Sequence, residues 1–146
     1  MVAEIFESAG EALLYGLVGF AVMAVAFVAL DLVTPGQLAR VVWTDRNKGA
    51  AVVLAGQMLG VGLVVEAAIG ASESEDGLGY GLLSTGVYGL AGVVVMTLVF
   101  AVVGFITPGP MGAAVLEDRD NRPHPAAWVQ GATYVGTALM VGAALS

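Results

Sequence analysis

The sequence carries four stretches of about 20 mostly apolar residues, the length that a helix needs to cross a hydrocarbon core roughly 30 Å thick. They comprise residues 12–30, 50–70, 86–106 and 126–145. Backbone groups in lipid must find hydrogen bonds within their own segment, and the stretches lack the alternation typical of a barrel strand. We therefore predict an all-α fold, a four-helix transmembrane bundle in which residues 1–146 form a single membrane domain.

The composition agrees with a membrane protein and excludes several other classes. Apolar residues make up 58% of the chain and charged residues only 12%, too few to cover a water-soluble surface. Cysteine is absent and His124 is the one histidine, which leaves no ligand set for a metal site. The net charge of -7 argues against a nucleic-acid partner. We expect no cofactor, and the residues assemble into no known catalytic arrangement, so we expect no enzyme.

The basic residues predict the orientation of the chain. They fall into two of the connections between spans and are Arg40, Arg46, Lys48, Arg119 and Arg122. Cytoplasmic loops carry the excess of Lys and Arg, so loops 34–49 and 107–125 are predicted to face the cytoplasm, with the N- and C-termini outside. The start of the chain lacks a basic leader, so the first helix is expected to stay as an anchor. These features predict a multi-pass protein of the cell inner (cytoplasmic) membrane.

The two halves of the chain resemble each other. When the sequence is shifted by 73 residues, 13 of the 32 positions in 15–46 are identical without a gap. This similarity predicts internal repeats at about 11–72 and 84–146. Each repeat holds two spans, so both copies should enter the membrane in the same direction, related by a pseudo-two-fold axis along the membrane normal.

Short motifs mark the ends of the predicted helices. Thr-Pro-Gly at 34–36 and again at 107–109 should end the first helix of each half, because proline disfavours a helical residue before it. The apolar residues within 38–43 should form a short segment in the headgroup layer. Asn47 and Asn121 can cap the helices that follow them, and Pro125 suits a first helical turn.

A family resemblance rests on three features of the sequence. They are the repeated Thr-Pro pair, Asn47 with the alanines at 50–51, and a predicted helix with Gly56 and Gly60. In this pattern the chain resembles the YjfL-like inner-membrane family (UPF0719, a domain of unknown function, DUF350). The resemblance covers nearly the whole chain from about residue 15. It implies a small inner-membrane protein without an established activity, sometimes met in envelope-stress settings, and it supplies no catalytic residue.

Polar residues within the spans are the candidates for chemistry. Placing a charged carboxylate at the centre of a span costs about 3 kcal/mol. Glu66 in the second span should therefore be paired with another group, be hydrated, or serve a function. One hypothesis is a hydrated path in which Glu66 binds a cation or proton. The alternative, which we favour, is an interfacial Glu66 with separate hydrogen bonds between helices. The candidate path residues are Glu66, Gln57, Thr97, Thr133, Tyr15 and Tyr88.

Asp31 lies at the cytoplasmic end of the first span, where Arg40, Arg46 or Lys48 can reach it, and the candidate ion pair is Asp31 with Arg40. Glycines at helical spacing predict close packing of the spans.

The sequence thus favours a structural or accessory component of the membrane, with an oligomeric channel or carrier for a small ion or proton as the alternative. The expected partners are the lipid bilayer and either a second copy or another membrane protein.

Overall fold

The computed structural model describes residues 2–33, 38–72, 77–106, 115, 117 and 122–145. Within these residues the regular elements are five helices, which confirms the all-α prediction. In chain order they are α1 (Val2–Val33), α2 (Leu38–Trp43), α3 (Lys48–Ala71), α4 (Leu78–Ile106) and α5 (Pro125–Leu145).

Three of these helices are long and apolar enough to cross a membrane. The candidate spans are Glu4–Ala29 within α1, Lys48–Ala71 and Leu78–Ile106. Helix α5 has 21 residues, but its apolar character is diluted by Gln130 and by the hydroxyl side chains that follow it. Three of the four predicted spans are therefore supported by length and composition, and the fourth stays a prediction.

The helix boundaries follow the local sequence signals. Helix α1 ends at Val33, immediately before the Thr-Pro-Gly motif. Helix α3 begins after Asn47, whose side-chain oxygen accepts a hydrogen bond from the backbone N–H of Ala50 at 2.7 Å, as predicted. Pro125 is the first residue of α5, where its missing N–H leaves no helical bond unmade. The predicted cap at Asn121 lies outside the described residues.

Helix α3 lies at the centre of the bundle and packs most extensively on α5. Three neighbouring pairs define how the two helices are aligned: Gly56 with Gly131, Gly60 with Tyr134, and Ala67 with Gly142. The residue number increases along both helices from one pair to the next. Helices α3 and α5 therefore run parallel to each other.

Helices α1 and α4 also run parallel. Their neighbouring pairs are Tyr15 with Gly81, Val18 with Gly86, and Val22 with Gly89. Between α3 and α4 the order is reversed, since Gly60 meets Met96 while Val64 meets Gly92. The first long helix of each half thus points one way and the second points the other, although the duplication itself stays a prediction.

The interior of the bundle is built from small and β-branched residues. Fully buried positions include Ala26, Val61, Val64, Met96 and Ala138. Large apolar side chains face outward instead; Phe20 on α1 is 72% exposed and Phe105 on α4 is 91% exposed. This distribution fits a bundle whose exterior faces lipid and whose helices associate through close contact of small residues.

Helix α2 packs against the start of α3. Val41 and Val42 lie on the buried pair Ala50 and Leu54. The ring of Trp43 meets Phe27 of α1 edge to face, with centroids 6.4 Å apart, although the indole is 66% exposed. An apolar helix of six residues with an exposed tryptophan is consistent with the predicted position in the headgroup layer.

Candidate functional site

Glu66 lies on α3, five residues before the helix ends at Ala71, or about 7.5 Å along the axis at 1.5 Å per residue. Its side chain is exposed. It belongs to the uncovered face of α3, with α1 on one side and α5 on the other. A groove runs along each side of this face, and Glu66 and Gly70 border both grooves.

The first groove, between α1 and α3, has a volume of about 540 Å³. Tyr15 and Glu66, both candidate path residues, line this groove. The Tyr15 hydroxyl is nevertheless directed toward Gly81 of α4, since a Cβ on that glycine would overlap it. The rest of the lining is mostly apolar or glycine: Gly16, Gly19, Phe20, Met23, Gly62, Val65, Ile69 and Gly70.

The second groove, between α3 and α5, has a volume of about 530 Å³. Glu66 is its charged lining residue. The others are aliphatic or glycine: Leu63, Ala67, Gly70, Ala71, Ala138, Leu139, Gly142, Ala143 and Leu145. The site is thus one exposed carboxylate between two apolar grooves.

The other residues of the hypothetical path do not gather around Glu66. Gln57 is buried, with only 1% of its surface exposed. The Thr97 hydroxyl donates to the Val93 carbonyl of its own helix at 2.8 Å, and Thr133 donates to the Val129 carbonyl at 2.9 Å. Tyr88 is half-buried on α4 and lines neither groove. The two threonine hydroxyls are therefore satisfied within their own helices, whereas the sequence predicted hydrogen bonds between helices.

A second polar cluster was missed by the sequence reasoning. Gln130 and Tyr134, one turn apart on α5, are 1% and 2% exposed, and the phenol lies near the Gln130 amide. Because α3 and α5 run parallel, Gln57 of α3 lies at a level along the helix axes between Gln130 and Tyr134 of α5. Among the described residues, none of the polar side-chain atoms of these three residues completes a hydrogen bond. The spacing of these residues could have revealed the cluster. Gln130 and Tyr134 share a helix face with the small residues Ala127 and Ala138, which favours burial of that face.

The remaining candidates lie near the end of the bundle where α3 and α5 begin. Asp31 is half-buried on α1 and Arg40 is exposed on α2; their predicted ion pair stays a prediction. The His124 ring nitrogen Nδ1 accepts a hydrogen bond from the Ala126 N–H at 3.1 Å and so caps α5. In the part of the chain that the structure describes, no three His, Cys, Asp or Glu residues group together as metal ligands.

Comparison with known proteins identifies relatives over almost the whole chain. A UPF0719 transmembrane protein of Mycolicibacterium paratuberculosis is 32% identical over 142 residues, covering 97% of this chain and 91% of the relative. UPF0719 transmembrane proteins of Mycobacterium bovis and Mycobacterium tuberculosis are each 33% identical over 135 residues, covering 91% of this chain and 84% of the relative. No solved structure matches.

The apolar helices and these relatives agree that the chain is a transmembrane protein. The family described as Domain of Unknown Function (DUF350) matches residues 4–145. That match and the UPF0719 relatives confirm the resemblance seen in the repeated sequence pattern, and the chain belongs to the UPF0719/DUF350 family.

Proposed function

We propose that this protein crosses the cytoplasmic membrane four times and serves there as a structural or accessory component, without enzymatic activity. In this role the tightly packed α3–α5 pair forms a rigid centre, and the outward faces of the helices contact lipid or other membrane proteins. The proposal includes α5 as the fourth span. A connection to envelope stress, which the family resemblance implies, is part of the same proposal.

The observation that carries this proposal is the separation of the polar side chains. Glu66 is exposed on one face of α3, whereas Gln57 is buried in the interior. A conduction path needs polar groups that converge on one wet crevice. Here the polar side chains are separated from one another, or they make their hydrogen bonds within their own helices. This arrangement instead supports a packed scaffold.

The distribution of charge supports the proposed orientation. The described basic residues lie near the start of α3 and α5 or on α2, and they are Arg40, Arg46, Lys48 and Arg122. The exposed acids Glu4, Glu7 and Glu11 lie at the opposite end, in the first turns of α1. This asymmetry supports a cytoplasmic position for the loops at 34–49 and 107–125.

A flux assay in proteoliposomes tests the scaffold role. The wild type and Glu66→Gln are reconstituted at equal protein density, and the movement of protons, Na⁺ and K⁺ is followed with internal dyes. We expect background flux for both proteins, because Gln57, Thr97 and Thr133 line neither of the two grooves beside Glu66. Wild-type flux well above that of empty vesicles, reduced in Glu66→Gln, would refute the proposal.

The exposed carboxylate of Glu66 favours the oligomeric channel or carrier as the second candidate. A charge within a span is costly, and a second copy could enclose it. Cross-linking in native membranes followed by mass spectrometry reports both copy number and partner. A ring of identical copies with Glu66 at the contact, together with cation flux, would establish this candidate.

A further inference from the structure

We propose that the uncovered face of α3 between α1 and α5 binds a diacyl phospholipid with a primary-amine headgroup. We call this surface the Glu66 valley. It consists of Glu66, which stands on the ridge formed by α3, and of the two grooves on either side of that ridge. The ammonium group pairs with the Glu66 carboxylate, and one acyl chain lies in each groove. This inference is compatible with the scaffold role, whereas the channel candidate would place a second copy on the same face.

The charge of the valley selects the headgroup. Glu66 is an exposed carboxylate within the candidate span Lys48–Ala71. The described basic side chains lie on α2 or near the starts of α3 and α5, at the far end of the bundle. A lipid ammonium brings both the missing positive charge and donors for a charge-assisted hydrogen bond. An anionic headgroup would instead be repelled.

The depth of Glu66 suits such a headgroup. The carboxylate is carried about 7.5 Å below the end of α3, which places it near the boundary of the span rather than at its centre. At this level a carboxylate can meet an interfacial group, and the cost of its charge is lower than in mid-membrane. The ammonium of a phospholipid belongs to the same layer.

The shape of the valley suits two acyl chains. The grooves have volumes of about 540 and 530 Å³, within the range of about 300–1,000 Å³ that small-molecule sites occupy. They are nearly equal in size and lie on opposite sides of the Glu66 ridge. The acyl chains run from Glu66 toward the membrane centre, where the first groove is lined by Phe20, Met23 and Gly62 and the second by Leu63, Ala138 and Leu139.

The same shape argues against a helix from a second copy as the occupant. A helix with side chains is about 10 Å across and contacts its partner along one line. In the Glu66 valley the space is divided between two grooves, and Glu66 stands on the ridge between them. A branched molecule with one polar head and two chains fills this arrangement better than a cylinder does.

Lipid retention tests the charge pairing. The protein is reconstituted into vesicles of equal phosphatidylethanolamine and phosphatidylglycerol, extracted in mild detergent, and its retained lipids are counted by native mass spectrometry. We expect the wild type to retain the amine lipid roughly fivefold over the anionic one. Glu66→Gln should remove this preference, whereas Glu7→Gln, exposed on α1 outside both grooves, should keep it. Equal retention of the two lipids by the wild type would overturn the proposal.

Substitutions that fill the grooves test the position of the lipid, with Gly62 on the acyl-chain side of Glu66 and Gly70 on the headgroup side. A Cβ on Gly62 or Gly70 would meet nothing within 4 Å, so leucine at either site enters open space. Gly136 on α5 is equally open and belongs to neither groove, which makes Gly136→Leu the matched control. We expect Gly62→Leu and Gly70→Leu to lower lipid retention and Gly136→Leu to leave it unchanged. Unchanged lipid retention in Gly62→Leu and Gly70→Leu, with a lower copy number, would assign the valley to a second copy instead.

Discussion

Gly56 of α3 and Gly131 of α5 meet backbone to backbone. A Cβ on Gly56 would lie 2.5 Å from the Gly131 Cα and 2.6 Å from its carbonyl oxygen, closer than any real side chain could lie. Neither contact atom belongs to a flexible side chain that can turn away. Parallel packing of α3 and α5 at this distance therefore requires glycine at position 56.

Replacing Gly56 by alanine should destabilise the protein by about 1–3 kcal/mol, because the added methyl group forces the two helices apart. Gly62→Ala is the matched control on the same helix, since a Cβ there would meet nothing within 4 Å. We expect the control to equal or exceed the wild type in stability, as alanine favours the helix. Unfolding of both variants in mixed micelles, followed by circular dichroism, measures the difference. If Gly56→Ala and Gly62→Ala were equally stable, the close contact between α3 and α5 at Gly56 would be contradicted.

The buried phenol of Tyr134 contributes mainly through its ring. The ring stacks on Phe100 with centroids 5.6 Å apart and planes at 10°, while the hydroxyl lacks a hydrogen-bond partner among the described residues. Tyr134→Phe should keep the free energy of unfolding or raise it by up to about 1 kcal/mol. Tyr134→Ala should lower it by about 3–5 kcal/mol, since it leaves a cavity. A loss above about 1 kcal/mol in Tyr134→Phe would show that the hydroxyl has a partner in the membrane.

The cap at Asn47 should contribute to the stability of α3. Its side-chain oxygen accepts a 2.7 Å hydrogen bond from the Ala50 N–H, so Asn47→Ala leaves that donor without its cap. We expect a loss of about 1 kcal/mol in the free energy of unfolding. Asn47→Asp keeps an acceptor at the same position and should remain close to the wild type. Equal losses in both variants would assign the effect to something other than the cap.

The parts of the fold that the sequence predicts are those set by local chemistry. The positions of α1, α3 and α4 follow from the apolar stretches, and the Asn47 cap follows from the residues beside it. The starts of α1 at Val2 and of α4 at Leu78 were not predicted, because these helices begin before the apolar stretches at 12–30 and 86–106. The bonds from Thr97 and Thr133 to carbonyls four residues earlier are also set by local chemistry, although the sequence analysis expected bonds between helices instead.

The parts that the sequence could not predict depend on which face of a helix meets a neighbour. A single carboxylate in an apolar stretch fits both a lipid-facing and an inward position, so the exposure of Glu66 required the packing of α1 and α5. The burial of Gln130 similarly follows from the close approach of Gly56 and Gly131 on neighbouring helices. Sequence periodicity alone is weak here, because nearly every face of these helices is apolar.

The number of spans can be determined by labelling single cysteines, since the native chain has none. Ser8, Thr44, Arg122 and Ala144 are all exposed, so each can be replaced by cysteine in turn. With four spans, a membrane-impermeant maleimide should label Ser8→Cys and Ala144→Cys in intact cells, and Thr44→Cys and Arg122→Cys only after permeabilisation. If α5 does not cross the membrane, Ala144→Cys will instead behave like Arg122→Cys. The wild type should stay unlabelled throughout.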